Sequence, residues 1–259
     1  MKSAILVVSF GTTHLSTLRE NISRTETSIA DAFPGWPFYR AFTSPTVRRR
    51  LLEQHGISVD SVEEAMARMS ADGVERVVVQ PTLLIPGEEY DKLRASLAVL
   101  SGPRVSIGRP LLCGDQDLGE MTAALRDAYP VDSGTVLLLM GHGTGHSANR
   151  IYERLAEQMR LLPGPAMRLC TVEGTPTFAD AVAELSALSQ RRVLAAPLML
   201  VAGDHAKNDM AGDGPESLRS QLTAVGFQVT CALQGLGQLS AVRDMYVRRA
   251  LEAAENTGE

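Results

Sequence analysis

The sequence predicts an α/β protein of two similar halves, each a mostly parallel sheet flanked by helices. Short runs rich in Val, Ile and Leu alternate with amphipathic segments along the whole chain, as strands joined by crossover helices do. Two of these runs stop abruptly in glycine-bearing turns, at Phe10-Gly11-Thr12-Thr13 and at Gly141-His142-Gly143. The punctuation also recurs: Gly11 answers Gly141 at 130 positions, while Pro81 and Pro197, Gly87 and Gly203, and Glu89 and His205 all stand 116 apart. We therefore expect Rossmann-like halves at residues 1–130 and 131–259, facing one another across a cleft.

In the first half, residues 4–9 read as a Val/Ile-rich strand, and Leu15, Leu18, Ile22 and Ile29 then recur at helical spacing. Residues 37–42 are extended, and Ser44-Pro45 opens a basic helix bearing Arg48, Arg49 and Arg50. That helix ends at His55-Gly56, where the helix dipole favours a cationic side chain. Residues 61–70 form a helix with Val62, Ala65, Met66 and Met69 on one face, acidic residues in its first turn, and Gly73 beyond its end. A strand and its extension cover 75–85, followed by a helix at 92–100, a strand at 104–109 and a helix at 119–129. The second half follows the same order. A strand from Thr135 ends at His142, and further strands are expected at 167–172, 192–201 and 227–232, with helices at 149–161, 178–188, 215–222 and 241–254.

The chain has 259 residues, 44% apolar and 21% charged, with a net charge of -5, which argues against a nucleic-acid surface built on bulk positive charge. Its N-terminal apolar run is too short for an export signal, and no run approaches the ~20 residues of a membrane span. A cytoplasmic protein without membrane association is the expectation. Cys113, Cys170 and Cys231 form no Cys-x-x-Cys pair and read as structural thiols of a reducing compartment. No Walker or dinucleotide fingerprint is present, so neither ATP nor a nucleotide cofactor is expected.

In an open α/β sheet the carboxyl ends of the strands rim the ligand crevice. Three such ends of the second half present His142, Glu173 and His205, and the corresponding end in the first half presents Glu89. Two imidazoles and a carboxylate suit a borderline divalent ion such as Co²⁺, Fe²⁺, Ni²⁺ or Zn²⁺ with positions left open, and the same set can take up protons. The alternatives are structural: either His as a hydrogen-bonding residue after its strand, and Glu173 as the cap of the helix that follows. His14 and His146 read as surface or supporting residues. Arg48 to Arg50 form either a solvated face or, beside a cleft, a contact for an acidic ligand. Met199 and Leu200 read as core.

The segments Val8-Ser9-Phe10-Gly11-Thr12-Thr13, Ala41-Phe42-Thr43-Ser44, Met140-Gly141-His142-Gly143 and Val172-Glu173, with the fourteen residues from Pro197 to Met210, resemble the anaerobic sirohydrochlorin cobaltochelatases. These are class II chelatases of cobalamin biosynthesis, and the resemblance spans essentially the whole chain. It implies a chelatase-like pair of halves around a tetrapyrrole, a metal on His142, Glu173 and His205, and His142 as proton acceptor. It leaves Glu89 to take a second proton or stage the ion. Substrate-contact candidates are Ser9, Phe10, Gly11, Thr12, Glu89 and Met199, with Arg48 to Arg50, Lys207 and helix-start N–H groups for the ring's carboxylates. Co²⁺ is the implied substrate metal, sirohydrochlorin the partner, and a homo-oligomer the implied assembly. A sirohydrochlorin ferrochelatase using Fe²⁺ and a non-catalytic metal or tetrapyrrole carrier are the competing readings. Thr144-Gly145-His146 departs from the small, variable run expected there and leaves the role of His146 open.

Overall fold

The computed structural model describes residues 2–256 and divides into two compact units. The chain up to Cys113 contains β1 (Ser3–Ser9), α1 (Leu15–Thr17), a π-helical stretch Leu18–Ser23, α2 (Arg24–Asp31), β2 (Phe38–Phe42), α3 (Pro45–His55), α4 (Val62–Ala71), β3 (Arg76–Pro81), α5 (Glu88–Val99) and β4 (Arg104–Ile107). Gly114–Leu239 holds α6 (Asp115–Ala128), β5 (Thr135–Gly141), α7 (Arg150–Leu161), β6 (Met167–Thr171), α8 (Phe178–Ser186), β7 (Arg192–Leu198), a second π-helical stretch His205–Met210, α9 (Leu218–Ala224) and β8 (Gln228–Cys231). The last helix, α10 (Ser240–Glu255), returns to the first unit and packs on α2, β3 and β4. The units therefore do not follow the linear division expected at residue 130. Helix α6 goes with the second unit, where it meets α7, and α10 goes with the first.

Both sheets are four-stranded and parallel, in the orders β2-β1-β3-β4 and β6-β5-β7-β8. Burial explains why β5 is a nearly unbroken apolar run: residues 136–140 are at most 1% exposed, covered on both faces, so the strand shows no alternation. One face packs with Cys170, Leu185, Val193, Leu218 and Leu222. Helix starts follow local chemistry. Ser44 accepts from Val47 N at the start of α3, and Ser61 and Glu64 form a capping box at the start of α4. Gly56 closes α3 in the left-handed conformation, as the His55-Gly56 pair suggested.

Several expected boundaries moved. β3 and β7 stop at Pro81 and Leu198, short of the expected extensions, and α5 begins at Glu88, which puts Glu89 in its first turn. Neither π-helical stretch was anticipated. The ladder registers also correct the internal repeat. Val8 pairs with Pro81 and Met140 pairs with Pro197, so β1 and β5 correspond at 132 positions rather than 130. Gly143, not Gly141, is thus the counterpart of Gly11, and these two share a positive φ, +102° and +77°. Among the described residues no helix is long and apolar enough to cross a membrane.

Candidate metal and proton-transfer site

In a 2-1-3-4 parallel sheet, the loops after the first and third strands leave in opposite directions and open a crevice between those strands. In the second unit these are β5 and β7, so the topology aims the loop after Gly141 and the loop after Leu198 at one point. His142 follows the first, and His205 opens the π-helical turn after the second. Their rings meet edge to face, with centroids 4.8 Å apart and planes at 88°.

Hydrogen bonding sets what each ring offers. His142 Nδ1 lies 2.9 Å from the Gly143 carbonyl oxygen, and His205 Nδ1 lies 2.6 Å from Asp209 Oδ2. Carbonyl and carboxylate oxygens only accept, so each Nδ1 carries a proton, and in the neutral ring Nε2 is then the nitrogen that keeps the lone pair. Two imidazole lone pairs are therefore available at one crevice. Glu173 follows β6, beside them; its N–H donates to the His142 carbonyl at 2.8 Å, and its carboxylate stands 3.9 Å from His142 Nδ1. The capping alternative for Glu173 does not hold, because α8 is capped by Thr177 and Asp180. Its side chain is 60% exposed and free to turn. Among the described residues, no three His, Cys, Asp or Glu side chains already stand in ligand geometry around one point, so a three-ligand site here requires Glu173 to swing toward the Nε2 side.

The loops are built tightly. Gly143 is left-handed, and a Cβ on it would lie 2.6 Å from Gly174 N, so the turns after β5 and β6 touch through backbone. Buried Asn149 joins them: its carbonyl accepts from Thr144 N at 3.2 Å, and its amide donates to Thr175 O at 2.9 Å. Tyr152 packs beneath, where a Cβ on Gly141 would meet its ring at 2.6 Å. Burial pushes the Tyr152 hydroxyl up to about 12, partly offset by the N–H groups of Gly143 and His142. His146 caps the short 3₁₀ turn Ser147–Asn149 by accepting from Ala148 N, a structural role for a residue whose place was open.

In the first unit the same registers place Phe10 where the second has His142, Ser44 where it has Glu173, and Glu89 where it has His205. The backbone likeness reaches past the strands, since Ser44 N donates to Phe10 O at 3.3 Å just as Glu173 N does to His142 O. Glu89 accepts from Thr43 Oγ1 at 3.3 Å and from Lys92 at 3.2 Å. Of the neighbouring substrate-contact candidates, Phe10 is open, at 52% exposure, whereas Ser9, Gly11 and Thr12 are buried. Ser9 is corrected as a contact: its hydroxyl accepts from Thr82 Oγ1 at 2.8 Å in the interior. Met199 is half-buried against the core. Arg48 is likewise committed, donating to Val59 O and pairing with Glu64 at 2.7 Å, while Arg50 and Lys207 remain exposed.

A family model described as cobalt chelatase (CbiK) matches residues 3–255. The chain belongs to the cobalt chelatase family. A relative in Salmonella typhimurium, named sirohydrochlorin cobaltochelatase, is 36% identical over 256 residues, covering 98% of this chain and 97% of its own. Another in Nitratidesulfovibrio vulgaris, named sirohydrochlorin cobaltochelatase CbiKC, is 34% identical over 255 residues, covering 95% and 88%. Among solved structures, SirB from Bacillus subtilis with Fe³⁺ shares the fold at a TM-score of 0.68 and 18% identity, over 99% of this chain and 97% of that one. In this cobalt chelatase family member, sequence reasoning missed Asp209, Asn149 and Tyr152. The spacing of His205 and Asp209, four apart on a helical turn, was a signal for the first; nothing in the sequence pointed to the other two.

Proposed function

We propose that this chain inserts Co²⁺ into sirohydrochlorin, with His142, Glu173 and His205 presenting the ion and His142 accepting a pyrrole proton. The observation that carries the reading is the pair of imidazoles at the β5–β7 crevice, both with Nδ1 occupied and Nε2 open. Nitrogen ligands and one carboxylate bind Co²⁺ without enclosing it, which an ion about to be handed on requires. Metallation removes two N–H protons from the ring, and a neutral imidazole beside the approaching ion accepts one of them. Glu89 takes the second proton or stages the ion. Phe10 offers the ring an apolar face, and Arg50 and Lys207 meet its carboxylates.

No bond to a nucleotide is made or broken in this exchange, so ATP is not consumed. The full-length relatives named for cobalt favour Co²⁺ over Fe²⁺, although a His/His/Glu set itself discriminates weakly between them. A homo-oligomer belongs to the same reading and is checked by sedimentation. The test follows the absorption spectrum of sirohydrochlorin with Co²⁺. The wild-type chain accelerates metallation, and His142→Ala folds but loses nearly all of the acceleration. A chain that binds both reactants without changing the rate is a carrier, and near-normal insertion by His142→Ala removes His142 from the chemistry.

A further inference from the structure

We propose that Asp209 is a positioning residue that makes His205 the ion's firmest ligand; this rests on the reading of His205 as a metal ligand. Asp209 Oδ2 lies 2.6 Å from His205 Nδ1, and among the described residues His205 is its one hydrogen-bonding or ion-pairing partner. The π-helical turn His205–Met210 sets the pair: Ala206 and Met210 are fully buried in the second unit's core, which turns His205 and Asp209 outward side by side. A carboxylate on Nδ1–H fixes the ring's tautomer and orientation and increases electron donation from Nε2. His142 Nδ1 bonds the neutral Gly143 carbonyl at 2.9 Å, and the carboxylate nearest to it, that of Glu173, stands 3.9 Å away, beyond hydrogen-bond reach. The two imidazoles are therefore unequal. His205 holds the ion while His142, the weaker donor, lets go first and is left with a free lone pair beside the ring.

Two measurements on the full chain test this, neither of which needs turnover. In metal-free protein labelled with ¹⁵N-histidine, at mildly alkaline pH, His205 should show the Nδ1–H tautomer, and Asp209→Ala should shift it toward Nε2–H. In Co²⁺ titrations, Asp209→Ala should weaken binding about 10–100-fold. Asp209→Asn, which keeps an acceptor oxygen at nearly the same place, should lose less. An Nε2–H tautomer in the wild type overturns the proposal, as does a Co²⁺ affinity in Asp209→Ala equal to wild type. An Asp209→Ala variant that is merely less stable, with tautomer and affinity unchanged, reduces Asp209 to a helix ion pair and also overturns it. Failure of the chelatase reading is separate: the wild type would then bind Co²⁺ without accelerating insertion, and both measurements would still judge Asp209.

Discussion

Replacing Gly143 with Ala tests how the site is held together. The added Cβ falls 2.6 Å from Gly174 N and 2.8 Å from Thr171 Cβ, at a residue with φ of +77°. Holding an alanine left-handed costs about 1 kcal/mol. Relieving the overlap costs about 1–3 kcal/mol more, because the nearest atom is backbone and cannot rotate away. We expect a loss of about 2–4 kcal/mol in urea unfolding. The displacement also acts on the contact between the two loops, where Glu173 N bonds the His142 carbonyl at 2.8 Å. Misplacing a reacting group by about 1 Å costs on the order of 100-fold in rate, so Co²⁺ insertion should fall by about that factor. Gly145 in the same loop is the control: its Cβ would meet nothing within 4 Å, and Gly145→Ala should change stability by less than about 0.5 kcal/mol. Equal behaviour of the two variants in unfolding and insertion would refute the packing argument.

Other perturbations probe the frame and its symmetry. Leu138 is fully buried in β5, and Leu138→Ala should lower unfolding free energy by about 2–5 kcal/mol, read by denaturant titration. Glu26 is 3% exposed and bonded by Arg40 Nε at 2.7 Å; burial raises its pKa while Arg40 pulls it back. Arg40→Met should therefore cost about 3–5 kcal/mol at neutral pH. A carboxyl whose folded pKa exceeds its unfolded one binds more protons when folded, so its contribution to stability falls as pH rises through that window. The Arg40→Met deficit should accordingly be full above the raised pKa and shrink on acidification toward the ordinary value of 4.5; a pH-independent deficit contradicts this. Converting Phe10 to His and Ser44 to Glu, with Glu89 already present, should add a second, weaker Co²⁺ equivalent in calorimetric titration. Unchanged stoichiometry would show that backbone equivalence is insufficient.

The order of strands and helices was legible because burial writes itself into composition: β1, β3, β5 and β7, flanked on both sides in their sheets, are the apolar runs. His142, Glu173 and His205 were legible for a topological reason, since each directly follows a strand or its loop. Less was visible where tertiary contacts decide. The exchange of α6 and α10 between units left no local mark, because an amphipathic helix does not encode which sheet it covers. The repeat was misaligned by two positions because glycine identity alone was matched, whereas the ladders equate Gly11 with Gly143. Ser9 looked like a contact from its neighbours in sequence, but strand alternation turned its hydroxyl inward to Thr82.

The shared strand order and register of the two units make the difference between their equivalent strand ends chemical. After β2, Ser44 is committed to starting α3, its hydroxyl bonded to Val47 N at 3.2 Å. After β6, no helix starts at the equivalent place; α8 begins at Phe178 with its own cap, so the Glu173 carboxylate caps no helix and instead stands 3.9 Å from His142 Nδ1. Phe10 has no lone pair, whereas His142 presents one on a backbone with the same register. Later helix onset after β6 and the His142 imidazole thus suffice to make the crevice of the second unit the candidate metal site, while the first retains Glu89 and an exposed aromatic ring. By this reasoning, Glu173→Ser, which puts the first unit's residue at the equivalent place, should remove a metal ligand without disturbing the fold, lowering Co²⁺ affinity while the unfolding free energy stays within about 0.5 kcal/mol of wild type.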